Sequence, residues 1–259
     1  LVSRCWVLGI ADFNDNVVTS DYVLNIRWIK DTHTGSWFAD PFILSEDNRQ
    51  FVILVEEFPY KTQRGRISRI IVDKQRWEVT DVKVVLELCT HLSFPCYFRK
   101  EGKVYVYPEN SASGCLNLYE YDEIKEEMTF VDILSPLPLT DAVIYDVDGE
   151  NFILSTQHPR ENKNQLSVYQ MRGRCPEKNA TQSFTFSDNI ARNAGKPFYV
   201  KGMLIRPAQI CNKNYGEGMV LQEIKRMDSK FFFRELKRIY SPSKRYSLAF
   251  HTFNVFENK

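Results

Sequence analysis

The chain has 259 residues, 43% of them hydrophobic and 26% charged, the balance of a globular protein that buries a sizeable core. Its 34 Lys and Arg stand against 33 Asp and Glu, a formal net charge of +1, so no global electrostatic pull toward nucleic acid or an anionic membrane is expected. No run reaches 18 apolar residues, which excludes a membrane-spanning helix.

The opening LVSRCWVLGIADFNDN holds too short an apolar run for a signal-peptide core, so a cytoplasmic location is expected. The six cysteines (Cys5, Cys89, Cys96, Cys115, Cys175 and Cys211) form no C-x-x-C pair and no His cluster at metal spacing. Neither a metal nor another cofactor is expected. Cys89, Cys96 and Cys115 lie among apolar strand positions, where a reduced, buried thiol is the common outcome.

Along the chain, CWVLGIADF and YVLNIRWI read first as strands. Four segments then repeat one pattern, a short head, an apolar pair, a turn and an alternating strand. The heads are Asp40-Pro41-Phe42-Ile43, Phe94-Pro95-Cys96-Tyr97, Asp141-Ala142-Val143-Ile144 and Lys196-Pro197-Phe198-Tyr199. Their spacing of roughly 50 residues is that of a four-stranded propeller blade. Glu101-Gly102, Asp148-Gly149 and Lys201-Gly202 place glycine where a two-residue hairpin needs positive φ, and Asn48 of Asp47-Asn48 tolerates the same region. YDEIKEEM and YGEGMVLQEIKRM carry a partial helical period but sit between strand-like runs, so strand plus turn fits them equally. The closing run YSLAFHTFNVF, joined to the N-terminal strands, predicts a fifth blade built from both termini, which removes an exposed sheet edge. The expected fold is all-β, a single five-bladed propeller over residues 1–259.

Innermost strands line a propeller's channel, so the residues that head them meet at one mouth. Those heads are Asp40, the stretch from His91 to Pro95, Asp141, the stretch from Arg192 to Gly195, and His251 in the closing blade. An Asp before Pro is also an ordinary turn former; what favours function is Asp or His recurring at equivalent positions. Glu56 and Glu57 end the strand FVILVEE, and Glu109 follows Pro108 before a Ser/Asn/Gly loop. Two carboxyl groups about 6.5–9.5 Å apart can run inverting glycoside hydrolysis. Arg192 and Arg206 are placed near the same mouth, where Arg forks onto carboxylate, phosphate or vicinal hydroxyls. Trp37, three residues before Asp40, offers a ring to a sugar face. The substrate-binding candidates are therefore His91, Arg192, Arg206, Glu57, Trp37 and His251.

The motifs WFADPFIL, HLSFPCYF with VYVYPENSASG, TDAVIYDVDGENFILST, RNAGKPFYVKGMLIRPAQ with YGEG, and HTFN resemble the five-bladed domain at the N-terminus of plant glucosamine inositolphosphorylceramide transferases. The likeness covers roughly residues 35 to 255. More distantly the chain resembles family 43 glycoside hydrolases. That resemblance implies Asp40 as general base and Asp141 as the aspartate that tunes and orients the acid. The acid itself belongs where this chain has Arg192-Asn193-Ala194-Gly195, so Glu109 of the second blade is the substitute candidate. The expectation is a diverged, glycoside hydrolase-like propeller acting on or binding glycans. The alternative is a non-catalytic module that binds a glycan or nucleotide sugar beside a glycosyltransferase.

Overall fold

The computed structural model describes residues 5–19, 21–147, 149–172, 175–176 and 179–257, without the side chains of 172, 175 and 176. Asp148 and the Cys175 thiol thus lie outside the described residues. A short ribbon pairs β1 (Gly9–Ile10) with β2 (Arg27–Trp28). The first blade is β3 (Ser36–Glu46), β4 (Gln50–Pro59), β5 (Arg66–Asp73) and β6 (Glu78–Leu86). The second is β7 (Ser93–Lys100), β8 (Lys103–Glu109), β9 (Leu116–Asp122) and β10 (Glu127–Ser135). The third is β11 (Leu139–Val147), β12 (Glu150–Gln157) and β13 (Gln165–Arg172), its outer edge shared by β14 (Cys175–Pro176) and β15 (Gln182–Thr185). The fourth is β16 (Phe198–Val200), β17 (Met203–Ile210), β18 (Gly218–Met227) and β19 (Lys230–Ile239).

Each sheet is an antiparallel meander in chain order, the blade of an all-β propeller. Among the described residues the blades number four, where five were expected. Residues 246–256 form no strand. Their backbone is spent on loop carbonyls instead, Phe250 N–H donating to Gly216 and Phe253 N–H to Ala194, and Phe250, Phe253 and Val255 pack on the fourth blade's apolar cluster. Alternating apolarity served there to cover a surface. Residues 15–18 likewise turn into a 3₁₀ helix, with Val17 buried against the same cluster. Both ambiguous segments resolve as strand and turn.

The chain divides into two compact units. One holds the first two blades (Asn25–Ile133, with the N-terminal residues through Asp12), the other the last two (Leu134–Asn258, with Phe13–Leu24). In the first, Phe38, Phe51, Ile53, Val55, Ile70 and Val72 form an apolar core. In the second, Phe198, Val200, Ile205 and Leu221 do the same.

The hairpins at Glu101-Gly102 (φ 52° and 77°) and Lys201-Gly202 (φ 48° and 79°) have both residues left-handed, as their sequence requires. The Asp47-Asn48 turn does not. Neither residue has positive φ, and the Asp47 carboxylate instead accepts the N–H groups of Arg49 and Gln50 at 2.7 and 2.8 Å. Asp73 and Asp122 repeat that local bond at the outer hairpins of blades one and two, followed by Trp77 and Glu126 at φ 54° and 56°. Cys89 is exposed and Cys115 half-buried, against the expectation of burial, because both lie in the connections flanking strands; Cys96 is buried.

One device recurs at the blade heads. The innermost strands of three blades carry a bulge at equivalent positions, between Ala39 and Phe42, Ser93 and Cys96, and Thr140 and Val143. Within it Asp40, Phe94 and Asp141 sit at φ 49°, 44° and 46°. A bulge re-aims the side chain it carries, and Asp tolerates the left-handed region better than most residues.

Candidate functional site

In the first unit the bulge brings Asp40 to the second blade, where Oδ2 accepts the Phe94 N–H at 3.0 Å. One residue earlier, Ser93 Oγ donates to Glu109 Oε2 at 3.4 Å, and Glu109 Oε1 accepts the Ser111 N–H at 2.9 Å. Asp40 and Glu109 therefore engage consecutive residues of β7. Both are nearly buried, at 5% and 6% exposure.

Glu56 stands opposite Ala39 on the ladder. Its Oε1 lies 3.4 Å from His91 Nε2, while His91 Nδ1 accepts the Gly65 N–H at 2.9 Å. The accepting Nδ1 places the imidazole proton on Nε2, facing the carboxylate. Gly65 is required here, since a Cβ would fall 2.3 Å from the Leu92 carbonyl and 2.7 Å from Glu56 Oε1. Trp37 pairs across the ladder with Phe58 and stacks on it, with centroids 4.6 Å apart and planes 8° apart. His91 lies 6.2 Å from Phe58. Strand alternation puts Trp37, Ala39, Glu56 and Phe58 on one face and Glu57 on the other. There Glu57 accepts from Ser36 (3.0 Å), Ser68 (2.6 Å) and both forks of Arg66 (3.0 and 2.9 Å). Burial pushes its pKa up, but Arg66, Ser68 and Ser36 together hold it below the usual carboxylate value.

In the second unit the Asp141 carboxylate, 2% exposed, is gripped by Arg192 through Nε at 2.6 Å and Nη2 at 3.3 Å, and by Gln209 Nε2 at 3.0 Å. Arg192 also donates to Asn162 at 2.8 Å and lies over the Tyr215 ring, 5.0 Å from its centroid. The Tyr215 ring is 5.4 Å from that of His251, and Gly216 gives His251 its room: a Cβ would come within 2.4 Å of the His251 Cβ. Asn193 donates to the carbonyls of Asp141 and Leu154. Arg206 is fully buried and directs its guanidinium to Asn193 Oδ1, Gln222 Oε1 and the carbonyls of Ile190 and Ala191, all neutral acceptors. Burial lowers its pKa to about 9.

Each unit thus gathers its own share of the expected residues: Trp37, Asp40, Glu57, His91 and Glu109 in one, Asp141, Arg192, Arg206 and His251 in the other. Gly65 and Tyr215 do not stand out as site residues in the sequence; of the two strand-end carboxylates the sequence reading favours Glu57, and alternation along β4 is the available signal for Glu56. Among the described residues no group of three or more His, Cys, Asp or Glu is arranged to hold a metal ion. No helix among them is long and apolar enough to cross a membrane.

Comparison with known proteins identifies the family and the fold. Residues 15–247 match the family described as glucosamine inositolphosphorylceramide transferase 1, N-terminal. The rice (Oryza sativa subsp. japonica) glucosamine inositolphosphorylceramide transferase 1 is 26% identical over 204 residues, 75% of this chain and 27% of the relative. The Arabidopsis thaliana protein of that name is 26% identical over 220 residues, 80% of this chain and 28% of the relative. The chain thus spans just over a quarter of the length of these curated relatives. Among solved structures, a family 43 β-1,3-galactosidase bound to galactodeoxynojirimycin superposes with a TM-score of 0.56 at 9% identity, covering 82% of each chain. A family 43 β-xylosidase/α-arabinofuranosidase from a compost metagenome, in complex with xylotriose, gives 0.55 at 12% identity over 80% of each. Such low identity establishes the shared propeller fold alone. By sequence, the chain belongs to the N-terminal family of glucosamine inositolphosphorylceramide transferase 1.

Proposed function

We propose that this domain recognises a carbohydrate at the heads of its blades as a non-catalytic module of a glycan-assembling protein. The observation that carries this reading is the environment of Asp141. Arg192 and Asn193 stand where the resemblance to family 43 hydrolases calls for a general acid, and Arg192 is committed to Asp141 at 2.6 Å. A carboxylate locked in a bidentate arginine pair cannot raise a neighbouring acid's pKa as a lone anion would. The relatives' name, glucosamine inositolphosphorylceramide transferase, connects the family to glucosamine and a phosphoinositol-bearing ceramide, and a transferase is the partner this module would serve. Half-exposed aromatic rings beside buried carboxylates suit a sugar, whose apolar face stacks while its hydroxyls donate.

Inverting hydrolysis is the second reading, favoured by one observation: Asp40 and Glu109, both buried, contact adjacent residues of β7. There Asp40 would activate water and Glu109 would protonate the leaving group. Calorimetry with xylotriose, β-1,3-galactotriose and glucosamine, run beside release of p-nitrophenol from aryl glycosides, separates the two. Binding without turnover is expected. Turnover that Asp40→Asn lowers by ~10²- to 10⁴-fold would establish hydrolysis in its place, and an absence of binding to all three sugars would remove both readings.

A further inference from the structure

A cavity of about 250 Å³ opens between the third and fourth blades, at the end of the strands away from their heads. Val147, the last residue of β11, lines it, six residues and roughly 20 Å along the strand from Asp141. Tyr199, Leu204 and Ile224 line it from the fourth blade. These three pair in register across β16, β17 and β18 and so share one face; Arg226, two residues beyond Ile224, joins them there. Strand alternation sends Phe198 and Val200 into the core, at 8% and 1% exposure, and leaves Tyr199 between them 64% exposed. Arg226 makes a fixed wall. Its guanidinium packs over the Phe152 ring, 4.9 Å from the centroid, and pairs with the Glu150 carboxylate.

Size, charge and surface each narrow what the cavity can hold. Its volume falls below the roughly 300–1,000 Å³ of sites for drug-sized ligands, so it has room for one ring. The charged residues along it already have opposite partners, Arg226 in Glu150 and Glu223 in both Arg234 (2.8 Å) and Lys225 (3.4 Å). A charged ligand would have to displace one of these pairs, whereas a neutral one can add hydrogen bonds to them. Val147, Leu204 and Ile224 give apolar surface beside the Tyr199 ring, and Arg226 with its partner Glu150 gives donors and an acceptor at one edge. A ring with an apolar face and hydroxyls around its edge matches that surface, and a pyranose has both. We infer that this cavity is a second carbohydrate site, binding one neutral pyranose with its apolar face on Tyr199 and its hydroxyls toward Arg226 and Glu150. It is separate from the blade heads and does not rest on their binding a ligand.

Amide chemical shifts, followed while methyl β-galactoside or methyl β-xyloside is titrated into the isotope-labelled protein, test this. Saturable shifts are expected at Gly202–Leu204 and Ile224–Arg226. Tyr199→Ala should weaken that binding ~10-fold by removing the stacking ring, and Tyr199→Phe should retain it. Because Tyr199 is largely exposed, both variants should keep the wild-type Tm. Glucosamine and galacturonate, in their charged forms, should move the same amides ~10-fold more weakly. If phenol moved them as readily as the glycosides, any ring would fill the cavity and the assignment to a sugar would be overturned. Shifts that Tyr199→Ala leaves unchanged, or none at these amides, overturn the inference; shifts at Ser93, Phe94 or Asn193 would then keep recognition at the heads standing. Shifts at the cavity alone sustain the inference and remove recognition at the heads.

Discussion

Asp40 and Asp141 occupy equivalent bulges in the first and third blades, at φ 49° and 46°, yet their carboxylates meet different chemistry. The Asp40 carboxylate accepts a main-chain N–H from the next blade. Asp141 accepts an arginine fork and a glutamine amide. One backbone device therefore presents a carboxylate in both places, and the neighbouring side chains decide what it does. A head residue's position in the repeat does not fix its role.

The largest expected effect breaks that comparison on the Asp141 side. Arg192→Ala leaves a carboxylate buried without its cationic partner and should cost ~3–5 kcal/mol. Asp40→Ala removes an acceptor from a buried N–H and places alanine in the left-handed region, for about 1–3 kcal/mol. Urea denaturation of both variants measures the difference. Equal losses would mean that Asp141 is no more committed to the fold than Asp40.

The first unit has its own charge lock, on the opposite face of blade one from Glu56. Charge-assisted bonds to Glu57 from Arg66, Ser68 and Ser36 are worth ~1.5–3 kcal/mol, and they depend on pH. The folded pKa of Glu57 lies below its ordinary value of 4.5. Its stabilisation is therefore complete above that value and disappears as pH falls through the lowered one. Melting curves of wild type and Glu57→Gln should differ at pH 7 and converge in acid. A gap that persists unchanged to low pH would detach Glu57 from the lock.

Four blades were legible because each repeats an apolar pair and a turn, and because Gly102 and Gly202 mark hairpins through a conformational need that only the backbone imposes. The fifth was misread because residues 246–256 alternate like a strand, while alternation reports burial and says nothing of ladder pairing. Glu57 was singled out where Glu56 shares the face of Trp37, since the sequence shows two adjacent carboxylates and the register alone decides which points where. Arg206 gave no sign of full burial: the sequence reading sets it near the channel mouth, and its four neutral acceptors come from two separate segments, residues 190–193 and β18.

Two glycine substitutions in the first unit carry the smaller effects and separate steric need from conformational need. Gly65→Ala drives a methyl into the Leu92 main-chain carbonyl and the Glu56 carboxylate, and should cost ~1–3 kcal/mol. It should also displace His91, whose Nδ1 depends on the Gly65 N–H, so sugar binding should weaken along with stability. Gly102→Ala meets open space, with nothing within 4 Å of the added Cβ. Its cost is the left-handed backbone alone, about 1 kcal/mol, and it sits at the far end of the β7–β8 hairpin from Ser93 and Glu109, so binding should be unchanged. If Gly102→Ala weakened binding as much as Gly65→Ala, recognition would depend on the blade as a whole, and the polar cluster at its head would lose its claim to be the site.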